Sequence, residues 1–85
     1  MMPIRHLLNR IRWDEAFGRS DFRIGYYDRM EDKIVVVTIR QVRFCPGDHF
    51  SIEVLDGGGE PRMVPLHRIK EVYRNGVLVW ARQHT

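Results

Sequence analysis

The sequence predicts an α+β fold in which an N-terminal helix packs on a bent, mainly antiparallel sheet of about six strands. Three observations support it. An apolar stripe with helical spacing opens the chain, later runs alternate between apolar and polar residues, and Asn75-Gly76 separates two β-branched runs. The sheet could curve into a partly closed barrel, and a weak internal duplication would relate its two halves. We expect the 85 residues to form a single domain.

The first predicted element is a helix from Pro3 to Arg12, since proline suits the first helical turn. Its apolar residues recur at i, i+3, i+4 and i+7, as one buried helix face requires. These are Ile4, Leu7, Leu8 and Ile11. A turn or short second helix should follow and end at Gly18. We expect Trp13 to lie in the core, although its position beside Arg12 would also suit a base-stacking platform.

Two strands are predicted next, at residues 22–27 and 33–39, joined by the charged loop 28–32 into a hairpin. Gly25 within the first strand indicates a bulge or the close approach of another group. After a turn at residues 45–48, a strand at 49–55 places Phe50 on its apolar face. The glycine-rich segment 56–59 is interpreted as a hairpin turn, because no phosphate-loop Gly-Lys-Ser/Thr follows it.

The segment from Val64 to Trp80 carries the strongest local signals. Pro65 interrupts a strand, and residues 66–69 suggest one helical turn or a sharp bend, with His67 and Arg68 pointing outward. Asn75-Gly76 then predicts a two-residue hairpin turn, because both positions need positive φ. The strand at 77–80 is apolar on both faces, so we expect it to be central in the sheet or sandwiched between layers.

Two short segments of the chain have similar sequences and indicate an internal repeat. Val37–Val42 (VTIRQV) resembles Val64–Ile69 (VPLHRI), and each copy follows a strand, an Asp-containing turn and a second strand. The second copy carries His67-Arg68 where the first carries Arg40-Gln41. The second copy is therefore the better candidate to carry functional side chains.

Composition favours a globular, basic protein. Hydrophobic residues make up 44% and charged residues 29%, which argues against disorder. The net charge is +3, and arginine supplies twelve of the 14 basic residues. Arginine binds phosphate through two parallel hydrogen bonds, but a solvated basic surface would give the same composition. No apolar run reaches the roughly 20 residues of a membrane span. The single cysteine, Cys45, fits a core position and a cytoplasmic location.

No catalytic constellation is evident. The sequence has no Gly-x-Ser-x-Gly, and its four histidines lack metal-ligand spacing, so we expect neither metal nor cofactor. The same residues suit a binding site better. Arginines could neutralise phosphate, His67 could donate a hydrogen bond, and Tyr26 or Tyr27 could stack on a base. Asp28 could cap its turn, orient an arginine or accept from a ribose hydroxyl.

Three motifs in fixed order then suggest a family: LNRIRWD at 8–14, GYYDR at 25–29 and VPLHRI at 64–69, followed by Asn75-Gly76 and Trp80. This combination, spanning roughly residues 4–82, resembles the RNA cyclic-group end recognition domain. The resemblance implies binding of RNA 3′ ends that carry a 2′,3′-cyclic or related terminal phosphate. The positions that match the motifs and would form that site are Arg12, Trp13, Tyr27, Asp28, Arg29, His67 and Arg68.

On this interpretation the protein is an RNA-binding module of RNA processing or repair. Arg12, Arg29 and Arg68 would hold the terminal phosphate, and Trp13 or Tyr27 would stack on the last base. Two alternatives stay open. One is a phosphoesterase with His67 as acid or base, and the other is an adaptor that binds RNA-processing enzymes without contacting RNA. The sequence specifies no oligomeric state.

Overall fold

The computed structural model describes residues 3–45, 47, 50–55 and 57–82. Its helices are α1 (Ile4–Trp13) and α2 (Glu15–Gly18). The strands are β1 (Phe22–Asp28), β2 (Lys33–Thr38), β3 (Val42–Arg43), β4 (Ser51–Leu55), β5 (Pro61–Pro65), β6 (Ile69–Arg74) and β7 (Val77–Ala81). A first 3₁₀ turn, Ile39–Gln41, precedes β3, and a second 3₁₀ turn, Leu66–Arg68, precedes β6.

The strands form two antiparallel sheets. One has four strands in the order β2-β1-β6-β7, and the other has three in the order β3-β4-β5. The predicted α+β class with its N-terminal helix is confirmed, and the described strands do not close into a barrel. Neither described helix is long and apolar enough to cross a membrane.

The predicted duplication is confirmed by the topology. The β1–β2 hairpin is followed by a 3₁₀ turn and by β3, which pairs with β4 in the other sheet. The β4–β5 hairpin is likewise followed by a 3₁₀ turn and by β6, which pairs with β1. Each half of the chain therefore donates its last strand to the sheet of the other half. Corresponding positions are buried in both halves: Ile24 and Ile52, Tyr26 and Val54, Val37 and Val64, Val42 and Ile69.

Helix α1 supplies the rest of the core. Its predicted stripe is buried, while Arg10 and Arg12 occupy its last turn, where positive charge is favourable. Burying each large apolar side chain contributes on the order of 1.5–3 kcal/mol. Asp14 is the N-cap of the short α2, and its side chain accepts a hydrogen bond from the Phe17 amide at 3.1 Å.

Two local predictions are confirmed in detail. Asn75 and Gly76 have φ of 52° and 83°, and Asn75 binds the start of β1 by accepting a hydrogen bond from the Asp21 amide at 2.9 Å. Gly25 lies at a bulge, where the register between β1 and β6 shifts. A Cβ at Gly25 would come within 3.1 Å of both Glu71 Oε1 and Ile34 Cγ2.

Three burial predictions were wrong. Trp13 is 70% exposed, because it ends α1 outside the apolar stripe. Phe50 is 74% exposed, because the regular alternation of β4 begins only at Ser51. The strand β7 is neither central nor sandwiched. Among the described strands it pairs with β6 alone, so it lies at an edge, and its residues 77–79 are exposed. Parts of the predicted turns at 45–48 and 56–59 and the predicted strand start at His49 lie outside the described residues.

Candidate functional site

Asp28 is the one buried charged side chain among the described residues, and it links the two sheets. Its Oδ1 accepts hydrogen bonds from the amides of Met30 at 2.9 Å and Glu31 at 3.3 Å, which fixes the turn after β1. Its Oδ2 accepts from Arg62 Nη1 on β5 at 3.1 Å. Asp28 therefore both caps its turn and orients an arginine, two of the three roles that the sequence left open.

A cavity of about 280 Å³ lies beside this pair, and we call it the arginine cavity. Its lining comes from the end of β1 and the following turn, from β5 and from the second 3₁₀ turn. The lining residues are Tyr26, Tyr27, Asp28, Arg29, Met30, Arg62, Met63, Val64 and Arg68. Three separate elements thus bring three guanidinium groups to one concave surface.

The arginine cavity is positively charged. Asp28 is the only carboxylate among the described residues of its lining, and it is paired with Arg62. Within residues 3–45, 47, 50–55 and 57–82, neither Arg29 nor Arg68 forms an ion pair with a carboxylate. Among the described residues, two of the guanidinium groups that line the cavity therefore form no ion pair with a carboxylate.

The related half of the fold has uncharged residues at the positions that match Arg62 and Arg68. By the match of Val37 to Val64, Arg62 corresponds to Val35, and Arg68 corresponds to Gln41. Gln41 stabilises its own 3₁₀ turn with neutral contacts, because its Oε1 accepts from the Thr38 amide and its Nε2 donates to the Leu55 carbonyl. The arginines thus stand where the related half of the fold uses neutral side chains.

Tyr27 lies on the opposite face of β1 from Asp28 and still reaches the edge of the arginine cavity. Its hydroxyl donates a hydrogen bond to the Asp32 carboxylate across the turn. This bond raises the pKa of the Tyr27 phenol above its ordinary value of 10.0, so the hydroxyl stays protonated at neutral pH.

His67 and Arg68 diverge although they are neighbours in the chain. A 3₁₀ turn has three residues per turn, so successive side chains point about 120° apart. Arg68 lines the arginine cavity, and His67 lines a second cavity of about 570 Å³, which we call the aromatic cavity. The lining residues of the aromatic cavity are Pro3, Ile4, Arg5, Phe50, Leu66, His67, Trp80 and Arg82.

Arg12 and Trp13 lie elsewhere again. The Arg12 guanidinium is 4.5 Å from the centre of the Trp13 ring and 5.4 Å from that of Phe44. Arg12 also lines a small third cavity of about 40 Å³ with Asn9 and Arg5. The Trp13 ring is therefore already covered on one face by an arginine.

The structure thus gathers only part of the predicted site. Tyr27, Asp28, Arg29 and Arg68 line one cavity, whereas Arg12, Trp13 and His67 lie outside it. Sequence reasoning missed Arg62. The sequence did contain an indication of its role, because residues two apart on a strand share a face of the sheet. Arg62 therefore lies on the same face of β5 as the buried Val64.

In the part of the chain that the structure describes, no three His, Cys, Asp or Glu residues converge as a metal-binding group. No curated protein and no solved structure matches the chain. The family model described as MJ1316 RNA cyclic group end recognition domain matches residues 1–82, which is almost the whole chain. The sequence motifs and this match agree, and the chain belongs to the MJ1316 RNA cyclic group end recognition domain family.

Proposed function

We propose that the protein binds RNA ends that carry a 2′,3′-cyclic or other terminal phosphate, and that the arginine cavity holds that phosphate. One observation carries the proposal. Arg62 and Arg68 line a cavity at positions where the related half of the fold has Val35 and Gln41. Since the fold is built without these charges in one half, their presence in the other half indicates a ligand of negative charge.

The geometry suits a phosphate in three ways. A guanidinium group presents two parallel N–H donors, which match two unesterified phosphate oxygens. Asp28 holds Arg62 in place before any ligand arrives, which lowers the ordering cost of binding. The cavity of about 280 Å³ is at the lower limit of the roughly 300–1,000 Å³ typical of ligand pockets. It would therefore take one ribose phosphate and leave the rest of the RNA outside.

Arg29, Arg62 and Arg68 would contact the phosphate in this scheme, and Tyr27 would border the terminal ribose or base. Asp28 acts through Arg62 and is a positioning residue. The geometry offers no support for a phosphoesterase in the arginine cavity, because His67 opens into the aromatic cavity instead. A cytoplasmic role in RNA processing or repair, with processing enzymes as partners, extends the same proposal.

The proposal is tested by equilibrium binding of three short RNAs that differ only at the 3′ end: hydroxyl, phosphate or 2′,3′-cyclic phosphate. We expect Arg68→Gln, which introduces the residue found at the related position, to weaken binding of the cyclic end about tenfold. Its melting temperature should stay unchanged. Arg19→Gln is the matched control, since Arg19 is exposed after α2 and lines none of the three cavities. Equal affinity for all three ends would contradict the proposal.

A further inference from the structure

We infer that the aromatic cavity binds the nucleotide that precedes the RNA end, with its base against Phe50 and its phosphate near Arg5 and His67. This inference rests on the proposed function, and it adds a second nucleotide subsite. None of Arg5, Phe50 and Arg82 belongs to the motifs that suggested the family.

The two cavities adjoin each other. The arginine cavity and the aromatic cavity lie on the two sides of the second 3₁₀ turn, with Arg68 in one lining and His67 in the other. Successive Cα atoms are about 3.8 Å apart, so the two side chains leave the backbone at neighbouring points of one turn. In this inference, an RNA whose last phosphate lies in the arginine cavity crosses this turn to reach the aromatic cavity.

The aromatic cavity also has the chemistry of a nucleotide site. Among the residues that the structure describes, its lining contains Arg5, His67 and Arg82 and no Asp or Glu. Phe50 is 74% exposed, and the Arg5 guanidinium lies 5.2 Å from the centre of its ring. Proteins that bind single-stranded nucleic acid combine such cations with an aromatic ring on which a base can stack. At about 570 Å³, the cavity has twice the volume of the arginine cavity and has room for a base with its ribose.

The floor of the aromatic cavity is preorganised. Trp80 is buried below the cavity, with the Arg82 guanidinium 5.4 Å from its ring centre. Arg82 Nη2 donates to the Leu66 carbonyl at 3.4 Å, and the Arg82 amide donates to the Lys70 carbonyl at 2.8 Å. These contacts hold the end of β7 against the second 3₁₀ turn. Arg82 Nε is buried and has no hydrogen-bond partner among the described residues.

The experiment compares a 2′,3′-cyclic mononucleotide with a dinucleotide and a trinucleotide that carry the same cyclic end. We expect the dinucleotide to bind the intact protein about tenfold more tightly than the mononucleotide. Phe50→Ala should remove most of this gain and leave mononucleotide affinity unchanged. Because Phe50 is largely exposed, the variant should fold, and thermal unfolding verifies this. Val77→Ala is the control, since it truncates another exposed apolar side chain that lines neither cavity.

The outcomes separate the two proposals. Equal affinities for the mononucleotide and the dinucleotide would overturn the second subsite and leave the end-binding proposal intact. A length-dependent gain that persists in Phe50→Ala and in Arg5→Ala would overturn the assignment to the aromatic cavity. Failure of every cyclic-ended ligand to bind would contradict the end-binding proposal, and this inference with it.

Discussion

Arg62 donates a hydrogen bond to Asp28 across the gap between the two sheets, with Nη1 and Oδ2 3.1 Å apart. The carboxylate side chain is only 8% exposed, whereas the arginine side chain is 49% exposed. The pair therefore joins a buried acceptor at the end of β1 to a cation that still faces the arginine cavity. Asp28 therefore serves mainly to hold the two sheets together, and Arg62 combines this structural contact with a position in the cavity lining.

Asp28→Ala should destabilise the domain by about 2 kcal/mol, because the turn loses its cap and Arg62 loses its partner. Urea unfolding measures this free energy. Asp21→Ala is the control, since Asp21 pairs with Arg23 at 3.8 Å and both side chains are more than half exposed. The control should cost no more than about 1 kcal/mol. Equal costs for the two variants would argue against Asp28 as the link between the sheets.

Gly25→Ala should destabilise the domain by about 1–3 kcal/mol, because the added methyl would lie 3.1 Å from both Ile34 Cγ2 and Glu71 Oε1 at the β1 bulge. Gly57→Ala provides the comparison, since no heavy atom lies within 4 Å of a Cβ there and its φ is not positive. Thermal unfolding of both variants tests the bulge. An unchanged melting temperature in Gly25→Ala would show that the sheet can accommodate a methyl group at this bulge.

The Tyr27 phenol should titrate above its ordinary pKa of 10.0, because it donates to Asp32. A raised pKa in the folded state stabilises the protein below the unfolded value and loses that stabilisation as pH rises through the folded value. Asp32→Asn should therefore lower the Tyr27 pKa, as followed by tyrosinate absorbance. Tyr73, whose hydroxyl donates to Glu71, should keep its own raised pKa in that variant. An unchanged titration curve in Asp32→Asn would contradict the contact.

Arg12→Ala should weaken binding of a longer RNA by the same factor for all three 3′ ends, because Arg12 lies outside the arginine cavity. Arg68→Gln should weaken the phosphate-bearing ends selectively. Binding measured as a function of salt adds a second test, since each lost phosphate contact reduces the slope for single strands by about 0.7. End-selective loss in Arg12→Ala would place Arg12 at the terminal phosphate, as the sequence motifs suggested.

The elements predicted correctly depend on local physics. The α1 stripe, the Asn75-Gly76 turn and the Gly25 bulge each follow from periodicity or from the φ that a residue tolerates, so a few neighbouring residues determine them. The similarity between Val37–Val42 and Val64–Ile69 likewise predicted that the fold has two related halves.

The features that sequence reasoning missed depend on contacts between distant residues. Arg62 joins the site only because β5 is brought beside the end of β1, and the two residues of the pair are 34 positions apart. The edge position of β7 depends on which strand β6 accepts as its second neighbour. The split between His67 and Arg68 depends on which distant elements lie on each side of the second 3₁₀ turn: Arg68 lines a cavity with β1 and β5, and His67 lines one with α1 and β7.

The most direct test of the central claim is an NMR amide titration with the three RNAs that end in hydroxyl, phosphate or 2′,3′-cyclic phosphate. We predict shifts at Arg29, Arg62 and Arg68 that are largest with the cyclic end, while His67 and Phe50 respond alike to all three. Equal shifts at the three arginines with every RNA, or no shifts there, would contradict the assignment of the arginine cavity to the RNA end.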